Sequence, residues 1–243
     1  AAQMHCRVIV PVLIDRSDEF SGTPGLRMTN QPHREFIYRT GYELGRHIIG
    51  YEVQKVLSAV DWFAEKNPEL PIGIMGYGEG GLIALYSAAV DTRIGAAMVS
   101  GYFQPRERMW SEPIYRNVWG LLHEFGDAEI ASLIAPRPLF IETNDKPLVA
   151  GPPEPHDGRD GAAPGAITPP DVNAVSAEIK RATQLVSWMS PPPMIEQFEG
   201  LSGNHLRSFA HVRLLQSIGV DPVTSSALLL QLAFCPSPYP AGQ

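Results

Sequence analysis

The stretch Pro71-Ile72-Gly73-Ile74-Met75-Gly76-Tyr77-Gly78-Glu79-Gly80-Gly81-Leu82-Ile83-Ala84-Leu85-Tyr86 decides how this chain is read. A short apolar run enters a turn crowded with glycine, and small apolar residues at helical spacing leave it. An apolar run of strand length, a glycine cluster and a helical pattern together predict strand, sharp turn and helix.

Working outward from that unit, the same alternation recurs. Residues 7–14 form a β-branched apolar run and are expected as a buried strand, and 15–32 as a polar loop. Across 34–65, Tyr42, Ile49, Val53, Val56, Val60 and Phe63 recur at helical spacing, predicting one or two helices that stop at Asn67-Pro68. Further strands are expected at 94–99, 138–142 and 194–198, and helices at 128–134, 173–189 and 206–215. Strands alternating with helices imply an α/β fold with a doubly wound, mainly parallel sheet, and residues 1–243 are read as a single domain. Residues 148–172 are set apart as an insertion or loop, since half of the residues from 151 to 170 are Gly or Pro. That composition reads first as a solvated surface loop and second as a lid over a pocket.

Composition narrows the function classes. With 243 residues, 44% of them hydrophobic, the chain is long enough to bury a full core. A net charge of −7 supplies no basic face for nucleic acid. No apolar run has the length of a membrane span. Cys6 and Cys235 make neither a disulfide framework nor a zinc site, so no metal and no cofactor is expected. The chain begins Ala-Ala-Gln-Met without a recognisable signal segment. The compartment stays open, a secreted or periplasmic one included, and so does the oligomeric state.

A strand, a sharp turn and a helix with glycines flanking a central residue form the context of the nucleophile elbow, G-x-S-x-G. Gly76 and Gly80 hold the flanking positions, but the central one is Gly78. Glycine takes the elbow's backbone conformation without strain, yet brings no Oγ. The Glu79 side chain is not expected to replace it, since neighbouring side chains in such a turn diverge. Its backbone N–H stands where an oxyanion donor would. Acyl transfer also needs an acid and a histidine, which in the fold that carries this elbow follow the nucleophile in that chain order. Asp145 follows the strand expected at 138–142, and His205 follows the last one, each on a loop just past a strand end. Ser100 and Ser202 are rival nucleophiles without elbow context.

Gly76-x-Gly78-x-x-Gly81 is also a G-x-G-x-x-G fingerprint, which would make the chain a dinucleotide-binding module. That reading needs an acid at the end of the next strand, which here ends Val99-Ser100-Gly101-Tyr102. Other residues take plainer readings. Arg34, Arg39 and Arg46 read as one solvated or salt-bridged helical face. Trp110, Tyr115 and Trp119 read as core cover before sugar contacts. His33, His47 and His123 lack ligand spacing.

Four segments carry a resemblance: Thr29-Asn-Gln-Pro-His-Arg-Glu-Phe-Ile-Tyr38, Leu44-Gly-Arg-His-Ile-Ile-Gly-Tyr-Glu-Val-Gln-Lys-Val-Leu57, Tyr115-Arg-Asn-Val-Trp-Gly-Leu-Leu122 and Ala131-Ser-Leu-Ile-Ala-Pro-Arg-Pro-Leu139. They resemble bacterial α/β-hydrolases of the acetyl xylan esterase and dienelactone hydrolase-like group. The resemblance implies carboxylic ester hydrolysis, with a small-molecule or carbohydrate ester as ligand. With Gly78 at the nucleophile position, it implies an impaired or inactive member, a possible pseudoenzyme. The alternative is an active hydrolase in which His205 activates water. The resemblance also implies that the strand at 7–14 is the family's fourth, so the first three strands are expected to be missing and the chain to be a fragment. In the family the third strand lies between the fourth and fifth. Here the strands at 7–14 and 72–75 are therefore expected either to pair directly or to leave a slot.

Overall fold

The computed structural model describes residues 6–21, 29–145, 147–200, 208–220 and 227–232. In chain order the elements are β1 (Cys6–Ile9), α1 (His33–Glu43), α2 (Ile48–Lys66), β2 (Ile72–Tyr77), α3 (Glu79–Val90), β3 (Ile94–Ser100), α4 (Asp127–Ser132), β4 (Leu139–Thr143), α5 (Val172–Leu185), β5 (Ile195–Glu199), α6 (Ser208–Ser217) and β6 (Ala227–Leu232), with three short 3-10 turns between β3 and α4. Six strands form one sheet in the order β1-β6-β2-β3-β4-β5, and every pairing is parallel.

Alternation along the strands assigns the faces. Ile72, Ile74, Ile94, Ala97, Val99, Leu139 and Ile141 join one apolar cluster with buried residues of α2, α3, α4 and α5. Met75, Ala96, Met98 and Phe140 turn the other way and pack with Leu214 of α6. Helices thus cover both faces of the parallel sheet, as the strand–helix alternation predicts.

Two expectations change. Neither direct pairing nor an open slot separates β1 from β2. β6 lies between them, with Ile9 opposite Leu230 on one side and Ile72 opposite Leu228 on the other. The strand expected at 7–14 is short, running only from Cys6 to Ile9. Beyond it the chain is tied down by side chains, the Ile14 N–H donating to Glu52 Oε1 at 3.0 Å.

The region 34–65 divides into two helices. His47 caps the second, its Nδ1 accepting from the Ile49 N–H at 3.1 Å while Nε2 faces the Asn117 carbonyl at 3.1 Å. That pair of partners places the proton on Nε2. No described helix is long and apolar enough to cross a membrane.

Candidate active site

β2 delivers the turn to the carboxyl end of the sheet, and the backbone reverses at Gly78 with φ 58° and ψ −116°. That φ lies where residues with a β-carbon are strained. The neighbouring glycines are demanded by close approach. A β-carbon at Gly76 would lie 1.9 Å from the Gly80 carbonyl oxygen, and one at Gly81 2.9 Å from that of Ser100. The turn is pinned to β3 by the Gly78 N–H, which donates to the Ser100 carbonyl at 2.9 Å. The strand, turn and helix expected from 71–86 are all present, and the elbow position holds only backbone.

Behind the turn lies a buried charge network that the sequence reading missed. Glu79 points away from the surface, and its Oε1 accepts from Arg116 Nε at 2.6 Å and Arg16 Nη2 at 3.1 Å. Arg34 Nη2 stands 3.5 Å from Oε2. Burial by itself raises the Glu79 carboxyl, but Arg116, Arg34 and Arg16 outweigh it and hold the group well below the usual carboxylate range. The network continues outward. Arg34 forms a two-point pair with Glu52, both contacts 2.8 Å, and Arg16 Nε donates to the Tyr115 hydroxyl at 3.1 Å. Glu112 bridges Arg106 at 2.7 Å and Arg116 at 3.2 Å.

Arg34 is therefore fully buried and not part of a solvated face, whereas Arg39 pairs with Glu35 on the half-exposed side of α1. Tyr115 is core, as expected of it, but Trp110 and Trp119 are 77% and 81% exposed. The available signal was Glu79 itself, a carboxylate opening a helix that is otherwise small and apolar.

Asp145 lies two residues beyond β4, exposed at the carboxyl end of the sheet. Its charge reaches the residue before Gly78. The Tyr77 hydroxyl is pushed up to about 12, first by burial and then by Asp145, against Arg16. Ser100 is buried, its Oγ donating to Glu142 Oε2 at 2.5 Å, so it is closed to any substrate as well as lacking elbow context. His205 and Ser202 lie outside the described residues. Among the described residues, no cluster of three or more His, Cys, Asp or Glu is placed to hold a metal.

The segment expected as a loose surface loop is tied down at several points. Val149 and Ile167 exchange two backbone hydrogen bonds of 2.9 Å, and the segment begins with Pro147 against the turn, its Cγ 3.2 Å from where a β-carbon at Gly78 would stand.

No protein-family profile and no curated protein matches this chain. Solved structures do. A zinc-bound, cold-adapted esterase from an Arctic intertidal metagenomic library is 13% identical at a TM-score of 0.40, the match covering 74% of this chain and 63% of that one. A glucuronoyl esterase from Solibacter usitatus is 12% identical at 0.43, covering 72% and 49%. The Pyrococcus furiosus esterase Pf2001 is 14% identical at 0.36, covering 68% and 58%. The chain thus spans between about half and three-fifths of the length of these structures. Its own parallel sheet, two-sided helices and elbow name the fold. It is a doubly wound α/β fold built on a parallel sheet.

Proposed function

We propose that this protein descends from carboxylic ester hydrolases and has lost most or all of its turnover at Gly78, keeping a pocket for a small-molecule or carbohydrate ester. The observation that carries the reading is the elbow. Its backbone has the sharp, positive-φ geometry that presents a nucleophile, and its central residue has no side chain. Asp145 and His205 are the acid and histidine of the former triad, and the Glu79 N–H is the inherited oxyanion donor. The loop position of Asp145 past β4 and its field at Tyr77 support the first of these. An acetyl ester of the acetyl xylan esterase-like kind is the substrate class that the sequence resemblance favours.

Losing a triad nucleophile costs about 10⁶ in kcat in the best-measured case, leaving roughly 10³–10⁴ over water from binding and the oxyanion donors. Water activated by His205 would be slow, because it lacks the positioning of a tethered hydroxyl. The dinucleotide reading gains no support: β3 ends in Ser100 with no acid, and Pro147 covers the glycine turn where a phosphate would approach.

The test is acetyl-ester hydrolysis by the native chain, Asp145→Asn and His205→Ala. The expected result is a native rate no more than about 10³–10⁴ over the buffer background, which neither substitution changes. A native rate orders of magnitude above background that falls in His205→Ala would overturn the reading in favour of water activation.

A further inference from the structure

Residues 147–167 begin against the elbow at Pro147, and their attachments are distributed over three separate parts of the protein. Asn30 grips both limbs of the segment. Its Nδ2 donates to the Pro153 carbonyl, and its Oδ1 accepts from the Ala162 N–H at 2.8 Å. The Glu35 carboxylate on α1 accepts from the Ala163 N–H at 3.0 and 3.1 Å.

At the far tip, Asp18 Oδ2 meets His156 Nε2 at 2.7 Å, and Arg159 Nη2 donates to the Asp18 carbonyl at 2.8 Å. On the other side, the Ala166 N–H donates to the Ser111 carbonyl at 3.0 Å. Gly165 lies so close to the Glu112 and Pro113 backbone that a β-carbon there would come within 2.7 Å. A Gly/Pro-rich segment has little packing of its own to hold a shape, so these attachments set its course.

The near end of the segment matters most. Pro147 Cγ lies 3.2 Å, and its Cβ and Cδ 3.7 Å, from the β-carbon position of residue 78. A β-carbon alone would require the proline ring to move, and an Oγ beyond it needs more room still. We infer that residues 147–167 are a fastened cover over the elbow, in which Pro147 closes the approach to position 78 and Asp18, Asn30 and Glu35 hold the segment down. The inference rests on the reading of Gly78 as the former nucleophile position and deepens it. The nucleophile is absent, and the space in front of it is filled by a strap anchored at sites far from the turn.

The cover is tested by access, not by turnover. Gly78→Cys is introduced into the full chain with Cys6→Ser and Cys235→Ser, and alkylation of the new thiol by iodoacetamide under native conditions is followed by peptide mass spectrometry. The same measurement is made with Pro147→Gly or Asn30→Ala added. The expected result is at least tenfold faster alkylation when either change is added. Equal rates in all three proteins would overturn the cover.

Because a side chain at Gly78 can itself disturb folding, hydrogen exchange of the Glu79 and Gly80 amides in chains keeping Gly78 gives a second reading. Those amides are expected to exchange at least tenfold faster in Pro147→Gly and Asn30→Ala than in the native chain, and unchanged exchange would overturn the proposal. The reading of a hydrolase that has lost its turnover stands or falls separately. A native chain with high ester turnover and a poorly accessible position 78 would remove that reading and leave the cover intact.

Discussion

The Glu79 carboxylate accepts a 2.6 Å hydrogen bond from Arg116 Nε directly behind the turn, and both side chains are buried. The residue that follows the elbow is thereby anchored from behind by three arginines, which fixes the backbone N–H it presents at the front.

Glu79→Gln keeps the shape of the side chain and removes its charge. It leaves Arg116, Arg34 and Arg16 facing one another without their shared anion, and an uncompensated buried charge costs about 3–5 kcal/mol. Urea unfolding at pH 7 is expected to show that loss. The native chain should also weaken in acid. Because the folded-state value of Glu79 lies below the unfolded one, its contribution is complete above the ordinary carboxylate range and is lost as pH falls below it. An acid-unfolding curve that is the same for Glu79→Gln and the native chain would contradict this.

Gly78→Ser places a hydroxyl at the turn but sets it against Pro147. The substitution also places a β-carbon at positive φ, at a cost of roughly 1–2 kcal/mol. Alone it is expected to lower the melting temperature and leave acetyl-ester turnover at the native level. Combined with Pro147→Gly it should raise turnover at least tenfold, read with a chromogenic acetate. If the single and double variants turn over equally fast, the proline is not what limits the site.

Asp127 is buried, its Oδ2 accepting from the Gln104 N–H at 3.1 Å, and burial pushes its carboxyl up to about 7 against the pull of Arg106. The folded chain therefore holds a proton that the unfolded chain has released above about 4. Stability should fall as pH rises from about 4 towards 7, by a few kcal/mol at most. Asp127→Asn should flatten that slope and be more stable than the native chain at pH 8. Urea midpoints at pH 4.5, 6 and 8 measure both.

The strap should loosen with rising pH. His156 faces Asp157 through Nδ1 at 3.1 Å and Asp18 through Nε2 at 2.7 Å, with Arg159 the cation alongside Asp18 among the described residues, and the two carboxylates raise the imidazole above its ordinary value. The protonated ring donates to both, so the clasp is complete below the ordinary histidine value and is lost as pH passes the raised one. Hydrogen exchange across 148–168, corrected for intrinsic rate, should accelerate over that window in the native chain. In Asp18→Asn the window should be much reduced. A native profile without it would remove the clasp.

The elbow was legible because its chemistry is local. Gly76 and Gly81 each answer to a close approach within the turn or with the adjoining strand, and Gly78 to its positive φ, and a glycine leaves that trace in sequence. The alternation of strands and helices was legible for the same reason, since period and turn residues are neighbours in the chain. Arg34 was misplaced because its partner Glu52 lies 18 residues away on another helix, and a charged residue next to Glu35 looks like surface. The attachments of the 147–167 segment pair Asp18, Asn30 and Glu35 with residues more than 120 positions on, beyond the reach of composition or periodicity. β6 escaped notice because Ala227-Leu228-Leu229-Leu230-Gln231-Leu232 matches a helix as well as a strand, and only the space between β1 and β2 decides it.

The place of that strand has a consequence for how the molecule is made. Among the described residues β1 pairs only with β6, so Cys6–Ile9 meets its sheet partner across more than two hundred residues of chain. During synthesis this pairing of β1 cannot form until Leu232 has emerged. Long-range parallel pairing of this kind is slow to form and exposes unpaired backbone in the interval.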